Sequence, residues 1–258
     1  MRIGGIYEAD YPIQLLRTQL VLGENETSMT AIAIVFMPES FVIGADGLRQ
    51  TTDKSKTIYD AQKIFKFQTE KITAAYGWCG HTVVWNEDNP EQVFFDFGAV
   101  TGPILTIASL LALDIDGFVE NVRARLLAHL MQSNDMYTGW ISAAKPGSVA
   151  RMLVAGYFNL DPFSFAIDVN QINLLPSVTA RRFNPSNDLR VFSGHPSTAE
   201  DESLKRVPVD VEDARNLVHE YIQKCIDNPE CKDIGGRTHV AVVSPNSFDW
   251  IDAPEISS

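Results

Sequence analysis

The sequence has few residues that would bind a metal ion or form a disulfide framework. Its 258 residues include only three cysteines, Cys79, Cys225 and Cys231, an odd number without CxxC spacing. This pattern argues against both a disulfide framework and a zinc site. The five histidines are scattered and form no HExxH pair, which is the spacing that would hold a metal ion on one helix face. The sequence therefore indicates no cofactor.

Long apolar runs and an excess of positive charge are also lacking. The longest apolar run, Ile104 to Leu113, is far short of the roughly 20 residues that span a bilayer. The N-terminus has no basic-then-apolar signal pattern. With 21 basic and 33 acidic residues the net charge is -12, which repels phosphate backbones and anionic lipid. We expect a cytoplasmic protein that binds neither nucleic acid nor membranes.

The composition is that of a globular chain. Hydrophobic residues make up 45% and charged residues 21% of the sequence, enough for one sizeable core. No internal repeat, low-complexity tract or linker rich in Gly, Ser or Pro marks a boundary after Thr30. We therefore expect one domain over residues 30–258, preceded by a separate segment of residues 1–29.

Four strands are predicted before the first helix. TAIAIVF and FVIGADG are β-rich runs joined by a turn that Pro38 favours, and KIFKF and KITAAYG form a second pair separated by Gln68 to Glu70. Residues Pro90 to Met131 then have helical periodicity, typical of two helices. The chain so far reads as strands followed by helices.

The second half repeats that order. ARMLVAGYF and FSFAIDV are predicted strands divided by a turn at Asn159 to Pro162, and LRVFSG continues them. Asp210 is a good N-cap for a helix that Pro229 would end, and THVAVVS and FDWID close the chain as paired strands. Two sheets packed face to face with helix layers outside satisfy this order. The pattern alone leaves other α+β folds open.

Several stretches resemble proteasome β-type subunits and their bacterial homologues, which are N-terminal-nucleophile (Ntn) hydrolases. The resemblance rests on TAIAIVFMPESFVIGADG, then QKIFKF and KITAAYG, and extends more weakly through VAGYF, VFSGH, DVEDARNLVHEYIQKC and IGGRTHVAVVS. It covers nearly all of residues 30–251, although residues 81–150 match only in helical character. The fold that it implies is α+β, a four-layer αββα sandwich.

The resemblance also implies catalytic roles. The family's N-terminal Thr nucleophile falls on Thr30, the Asp that orients a Lys falls on Asp46, the Lys falls on Lys63, and the glycine that supplies an oxyanion donor falls on Gly77. Asp46 lies 16 residues after Thr30, as the family pattern expects, whereas Lys63 lies 33 residues after it, one residue late. The Gly47–Leu48 step could hold that insertion.

Further positions follow from the same resemblance. Ser193 corresponds to the serine that supports the active threonine. The acidic residue expected before the Gly pair is out of register, because Cys231 occupies its place and Asp233 lies two residues later. The pocket for the substrate residue before the cut would be uncharged, favouring a modestly sized apolar side chain, and would be lined by Gln50, Ala61, Phe65, Ala75 and Cys79.

These residue types suit the chemistry of an acyl transfer. A threonine hydroxyl needs a base, which a free α-amine on the same residue provides. Lys63 as a cation would keep more of that amine unprotonated, and Asp46 would keep the cation charged and oriented. Each residue also has an ordinary interpretation: Thr30 starting a strand, Lys63 as a solvated strand residue, Asp46 and Gly77 as turn residues. His195 is interpreted as a loop residue.

The mechanism requires a free amine on Thr30, yet residues 1–29 precede it. They are expected to be either a removed propeptide or the product of a start codon placed too early. Because Met29 stands before Thr30, translation from Met29 and removal of that methionine would expose the threonine. A retained segment would instead indicate an inactive subunit.

The function expected from the resemblance is that of a threonine peptidase. It would hydrolyse peptides or unfolded proteins in a homo-oligomeric ring or stack, with an ATPase as a possible partner. Two alternatives stay open: a catalytically silent structural subunit, and an amidase that acts on a small molecule.

Overall fold

The computed structural model describes residues 30–50, 57–80, 82–85, 93–132, 147–172, 175–185, 188–194 and 196–255. The strands are, in chain order, β1 (Ile32–Met37), β2 (Ser40–Ala45), β3 (Arg49–Gln50), β4 (Thr57–Ile58), β5 (Ile64–Gln68), β6 (Ile72–Gly80), β7 (Val83–Trp85), β8 (Val93–Asp96), β9 (Gly147–Phe158), β10 (Asp161–Ile172), β11 (Leu175–Phe183), β12 (Arg190–Ser193), β13 (His239–Val243) and β14 (Phe248–Asp252). The helices are α1 (Phe97–Leu111), α2 (Ile115–Gln132), the short α3 (Pro196–Ala199) and α4 (Val211–Asp227), with a 3-10 turn at Glu202–Lys205.

Two antiparallel five-stranded sheets carry the fold. Sheet I has the strand order β12-β1-β2-β13-β14, and sheet II has the order β11-β10-β9-β6-β5. The predicted hairpins β1–β2 and β5–β6 are confirmed. β9 and β10 also pair as predicted, through a turn at Asn159 and Leu160, whose positive φ angles of 49° and 73° suit a tight hairpin. The third predicted strand of that group, β12, lies instead in sheet I beside β1.

The buried side chains form three clusters. One lies between the sheets and includes Ile32 and Ile43 from sheet I and Leu153 from sheet II. A second packs sheet II against α1 and α2, with Phe118 at its centre. A third packs sheet I against α4, where Val218 approaches β2. Each apolar face of a sheet is therefore covered by another element.

Helices α2 and α4 follow the signals in the sequence closely. Asp210 caps α4 by accepting a hydrogen bond from the Asp213 N–H, and α4 ends at Asp227, shortly before Pro229. In α2 the predicted apolar stripe that includes Phe118, Val122 and Leu126 is buried. None of the described helices combines the length and apolar character needed to cross a bilayer.

The predicted four-layer αββα sandwich was wrong. The described residues form mainly two antiparallel sheets, and on the outer face of sheet I α4 is the one long helix, so a full helical layer is not completed there. The described segment between β12 and α4 forms α3, which begins at Pro196, and the 3-10 turn at Glu202–Lys205, which ends shortly before Pro208. The first helix also begins at Phe97, later than the predicted Pro90, after strand β8.

Candidate active site

The ends of three strands bring Thr30, Asp46 and Lys63 together. Thr30 lies just before β1, Asp46 directly follows β2, and Lys63 directly precedes β5. The β1–β2 hairpin places Ala31 beside Asp46, so that the Ala31 N–H donates to Asp46 Oδ1 at 2.8 Å and the Asp46 N–H donates to the Ala31 carbonyl at 3.2 Å. The hairpin thus positions the aspartate next to the threonine.

The Asp46 side chain is fully buried and accepts four hydrogen bonds. Besides the Ala31 N–H, its donors are the Leu48 N–H at 3.3 Å, the Gly235 N–H at 3.1 Å and Lys63 Nζ at 3.0 Å. Backbone N–H groups aimed at a carboxylate stabilise its charged form. This set of donors offsets the cost of removing the carboxylate from water.

Lys63 links the aspartate to the threonine. Its Nζ lies 3.0 Å from Asp46 Oδ2 and 3.0 Å from Thr30 Oγ1, and the residue is only 6% exposed. Burial lowers the pKa of the Lys63 ammonium, while the charge and hydrogen bond of Asp46 oppose that shift and the nearby Arg49 adds to it. A buried amino group is therefore held directly against a hydroxyl oxygen.

Gly77 lies where the two sheets approach each other. It belongs to β6 and pairs with Ile64 on one side and Leu153 on the other. A Cβ at this position would lie 3.0 Å from Ile32 Cδ1 and 3.0 Å from the Lys63 carbonyl oxygen. The glycine therefore provides space for the close approach of β1 to β5 and β6. The oxyanion role of its N–H stays a prediction.

Ser193 and Cys79 are in direct contact beside these residues. Ser193 ends β12 opposite Ile32, and both Ser193 and Cys79 are buried. The Ser193 Oγ lies 2.9 Å from Cys79 Sγ, and the thiol also donates to the Arg151 carbonyl at 3.4 Å. Sequence reasoning assigned Cys79 to a substrate pocket, whereas its thiol contacts the predicted supporting serine.

The other predicted pocket residues separate in space. Ala75 lies in the cluster between the sheets, whereas Phe65 stacks on Tyr76 and packs against the cluster on the helix side of sheet II. Ala61 is buried, and its N–H donates to the Gly47 carbonyl at 2.8 Å. The side chain of Gln50 lies outside the described residues. Alternation along a strand therefore places Phe65 and Ala75 on opposite faces of sheet II.

Three turns around Asp46 were not predicted to interact. The Leu48 N–H donates to the Gly235 carbonyl at 2.8 Å, and the Arg237 N–H donates to the Tyr59 carbonyl at 2.9 Å. Gly236 has a φ of 75°, and a Cβ there would lie 2.2 Å from the Tyr59 oxygen. The Gly pair in IGGRTH was the sequence signal for this close approach.

The sequence has no acidic residue at the expected place before the Gly pair, and in the structure the Gly pair contacts a different carboxylate, that of Asp46. Cys231, which occupies its place in the sequence, is buried, and burial raises the pKa of its thiol to about 12. The Gly pair contacts Asp46 itself, through the Gly235 N–H. His195 lies outside the described residues. Within the described ranges, no group of three or more His, Cys, Asp or Glu side chains is arranged to hold a metal ion.

Comparisons with known proteins identify similar folds but no family. No protein-family model and no curated protein matches the sequence. An Anbu (Gly-1) mutant from Hyphomicrobium sp. strain MC1 superposes with a TM-score of 0.53, at 10% identity, over 88% of this chain and 89% of that chain. The fold is similar to that of Anbu. Anbu (ancestral beta-subunit) from Yersinia bercovieri gives a TM-score of 0.49, at 11% identity, over 86% of this chain and 87% of that chain.

These findings correct the resemblance to proteasome β-type subunits and their bacterial homologues. As a family assignment it was wrong, because no family model matches and the similar structures are Anbu proteins at 10% identity. Short β-rich runs such as TAIAIVF recur in many unrelated sheets, so their order carries less family information than it suggests. What is similar is the fold.

Proposed function

We propose that this chain is a hydrolase of peptide bonds that uses Thr30 as an N-terminal nucleophile. The observation that carries the proposal is the position of Lys63 Nζ, 3.0 Å from both Thr30 Oγ1 and Asp46 Oδ2 in a buried site. A strand-starting threonine with no chemical role has no need of a buried lysine on its hydroxyl oxygen, because burying that lysine costs free energy.

Lys63 acts as a cation in this proposal. Burial lowers the pKa of the Lys63 ammonium, and the charge and hydrogen bond of Asp46 oppose that shift and favour the charged form. As a donor to Thr30 Oγ1, Lys63 stabilises the developing alkoxide, and its positive charge also lowers the proton affinity of the neighbouring α-amine. Asp46 fixes the ammonium and contacts Ala31, the residue that follows the nucleophile.

The reaction would proceed in two steps. The α-amine of Thr30 accepts the hydroxyl proton as Oγ1 attacks the carbonyl carbon, and the tetrahedral intermediate expels the amine half of the substrate, which takes that proton. A threonyl ester of the acyl half remains. Water, deprotonated by the same α-amine, then attacks the ester and releases the carboxylic acid, which restores the hydroxyl.

The free amine sets a condition on the chain. Thr30 becomes N-terminal only after residues 1–29 are removed or if translation starts at Met29, so residues 30–258 form the active unit in this proposal. A homo-oligomer that encloses the site, peptides or unfolded chains as substrates, and an ATPase that delivers them complete the proposal. Ser193 would support the site through its contact with Cys79.

Two variants of Thr30, compared with the wild type, test whether this residue is the nucleophile. Thr30→Ala, Thr30→Ser and the wild type would be expressed from Met29, and intact mass would first show that each chain starts at residue 30. A peptide carrying an electrophilic group at its C-terminus is then added. We expect one inhibitor adduct per chain for wild type and Thr30→Ser and none for Thr30→Ala, because alanine has no side-chain nucleophile.

The longer chain, which includes residues 1–29, is the matched control. Its amine is tied up in a peptide bond, so we expect no adduct and no turnover of an uncharged peptide substrate. An adduct on Ser193 or Cys79 in Thr30→Ala would show that the labelled residue, and not Thr30, is the nucleophile. Absence of an adduct on a wild-type chain shown to start at Thr30 would reject the proposed function in favour of a silent subunit.

A further inference from the structure

A second buried polar pair lies close to the Thr30 site but is not part of it. His239 is fully buried, and its Nε2 lies 2.5 Å from Asp60 Oδ1. The other ring nitrogen, Nδ1, is buried and has no hydrogen-bond partner among the described residues. Burying an imidazole with one unpartnered nitrogen costs free energy, and the hydrogen bond between Nε2 and Asp60 offsets part of that cost.

The arrangement of the ring hydrogens follows from this environment. A hydrogen on Nδ1 would be a buried donor without an acceptor, whereas a hydrogen on Nε2 donates to Asp60. We therefore place a hydrogen on Nε2, where it donates to Asp60. Burial raises the pKa of the Asp60 carboxyl, but hydrogen bonds from His239 and from the Glu255 N–H lower it overall. Asp60 is thus an ionised acceptor at neutral pH.

The pair joins the two chain segments that hold the charged groups of the active site. His239 begins β13 and pairs with Ala45, the residue immediately before Asp46. Asp60 lies three residues before Lys63 in the same connecting segment. The side-chain contact between Asp60 and His239 therefore ties the Lys63 segment to β13, the strand that pairs with β2 immediately before Asp46.

The Lys63 segment is an irregular connection, since residues 59–63 are neither helix nor strand. The Ala61 N–H donates to the Gly47 carbonyl, and the Tyr59 carbonyl accepts the Arg237 N–H. Asp60 adds a side-chain contact to the buried His239 and accepts the Glu255 N–H at 2.6 Å. The position of Lys63 depends on how firmly this short segment is held.

We propose that Asp60 and His239 are a positioning pair that holds Lys63 against Asp46 and Thr30. The proposal rests on the function proposed above for that site. Neither residue touches the nucleophile, and both act through the placement of the Lys63 ammonium.

The chain contains a matched control. His219 Nε2 lies 2.9 Å from Asp252 Oδ2, and Asp252 is also held by Arg215. This second His–Asp pair joins α4 to β14, two elements that lie outside residues 59–63, the segment that carries Lys63. A substitution in it tests what the loss of a His–Asp contact does to stability alone.

The test compares Asp60→Asn and His239→Gln with Asp252→Asn, all in the chain that starts at Thr30. The first readout is an NMR titration of lysine labelled with ¹³C and ¹⁵N at the ε position, with the Lys63 signal assigned by its loss in Lys63→Arg. The second is the split between kcat and KM on a fluorogenic peptide. Thermal unfolding reports the stability of each variant.

We expect Asp60→Asn and His239→Gln to shift the Lys63 titration towards that of an exposed lysine, because a released segment lets water reach the ammonium. The value of kcat should fall about tenfold, roughly 1.4 kcal/mol of transition-state free energy, with KM little changed. Asp252→Asn should leave the Lys63 signal and kcat unchanged even where it lowers the unfolding temperature equally.

Two results would overturn the positioning pair. One is an unchanged Lys63 signal in both Asp60→Asn and His239→Gln, and the other is a shift of the same size in Asp252→Asn. The NMR readout needs no turnover, so a wild-type chain without activity would reject the proposed function while the Lys63 signal still decides this inference. If His239→Gln does not fold, Asp60→Asn, which keeps the size of the side chain, decides alone.

Discussion

Two aspartates in this chain accept several hydrogen bonds each but lie in opposite surroundings. Asp46 is fully buried and receives three backbone N–H groups and Lys63. Asp252 is partly exposed and receives both a two-pronged contact from Arg215, at 2.8 Å and 2.8 Å, and a hydrogen bond from His219. Counted by hydrogen bonds alone, the two sites look alike.

The difference lies in what each cation does besides meeting its carboxylate. Besides Asp252, Arg215 also donates to Glu212, another acidic side chain at the surface, so this cation contacts carboxylates on both sides. Lys63 reaches past Asp46 to the hydroxyl of Thr30. A desolvated cation directed at a nucleophilic oxygen therefore distinguishes a candidate active site from a structural ion pair.

Replacing Lys63 and Arg215, the cations of the two networks, should give the largest difference in turnover. Lys63→Ala is expected to lower turnover by about 10²- to 10³-fold, the usual effect of removing one group that stabilises developing charge. Arg215→Ala should stay near the wild-type rate, because Arg215 contacts the carboxylates of Glu212 and Asp252. Steady-state hydrolysis of a peptide by chains that start at Thr30 measures both.

Lys63→Met serves as the control for folding, since it keeps most of the aliphatic stem and removes only the charge. Equal rates for Lys63→Ala and Arg215→Ala would remove the distinction between the two networks. A loss of turnover with a loss of secondary structure in both Lys63 variants would assign Lys63 to stability.

Replacing the two aspartates should separate the networks by stability. Asp46→Ala removes an acceptor from the buried Lys63 and from the Ala31 and Gly235 N–H groups, at an expected cost of about 3–5 kcal/mol in the free energy of unfolding. Asp252→Ala breaks a partly exposed pair and should cost about 1 kcal/mol. Urea unfolding at neutral pH compares them, and similar losses would show that burial does not separate the two sites.

Two glycines test how tightly the candidate site is packed. A Cβ at Gly77 would lie 3.0 Å from Ile32 and from the Lys63 backbone, whereas one at Gly102 in α1 would have no atom within 4 Å. Gly77→Ala should therefore cost about 1–3 kcal/mol, and Gly102→Ala should stabilise by up to about 1 kcal/mol. Urea unfolding checks the signs, and a stabilising Gly77→Ala would contradict the close approach of the sheets.

The smallest expected effect concerns the acid sensitivity of the Asp252 network. Hydrogen bonds from Arg215 and then His219 lower the pKa of Asp252 to about 2. Because the pKa is depressed on folding, the stabilisation is present above the unfolded value of about 3.9 and is lost as the pH falls from about 4 towards 2. We expect wild type and Asp252→Asn to differ by up to about 1 kcal/mol at pH 7, discounted for solvent screening.

At pH 3 the difference in the free energy of unfolding between wild type and Asp252→Asn should be smaller, because Asp252 is partly protonated there and has lost part of its stabilising interaction. Urea unfolding at both pH values measures it. A gap that grows as the pH falls would show that the Arg215 and His219 contacts do not act through the charge of Asp252.

Much of the chain order was readable from the sequence. Alternation and turn residues predicted β1, β2, β5 and β6, and an N-cap with an apolar stripe predicted α4. The structure brings Thr30, Asp46 and Lys63 together, while the catalytic roles that a resemblance implied for them stay predictions. Phe65 and Ala75 lie on opposite faces of sheet II, because side chains alternate between the two faces of a strand. The substrate pocket that includes both residues stays a prediction.

Hydrophobic period, turn residues and capping act over a few neighbouring residues, so they predicted strands such as β1 and β6 and helices such as α2 and α4 from the sequence. The pairing of β12 with β1, the contact of Cys79 with Ser193 and the contact of Asp60 with His239 came instead from the tertiary structure. Those contacts join residues more than a hundred positions apart, and strand pairing across such distances depends on packing that no local pattern encodes. The same packing placed a buried lysine against the hydroxyl of Thr30.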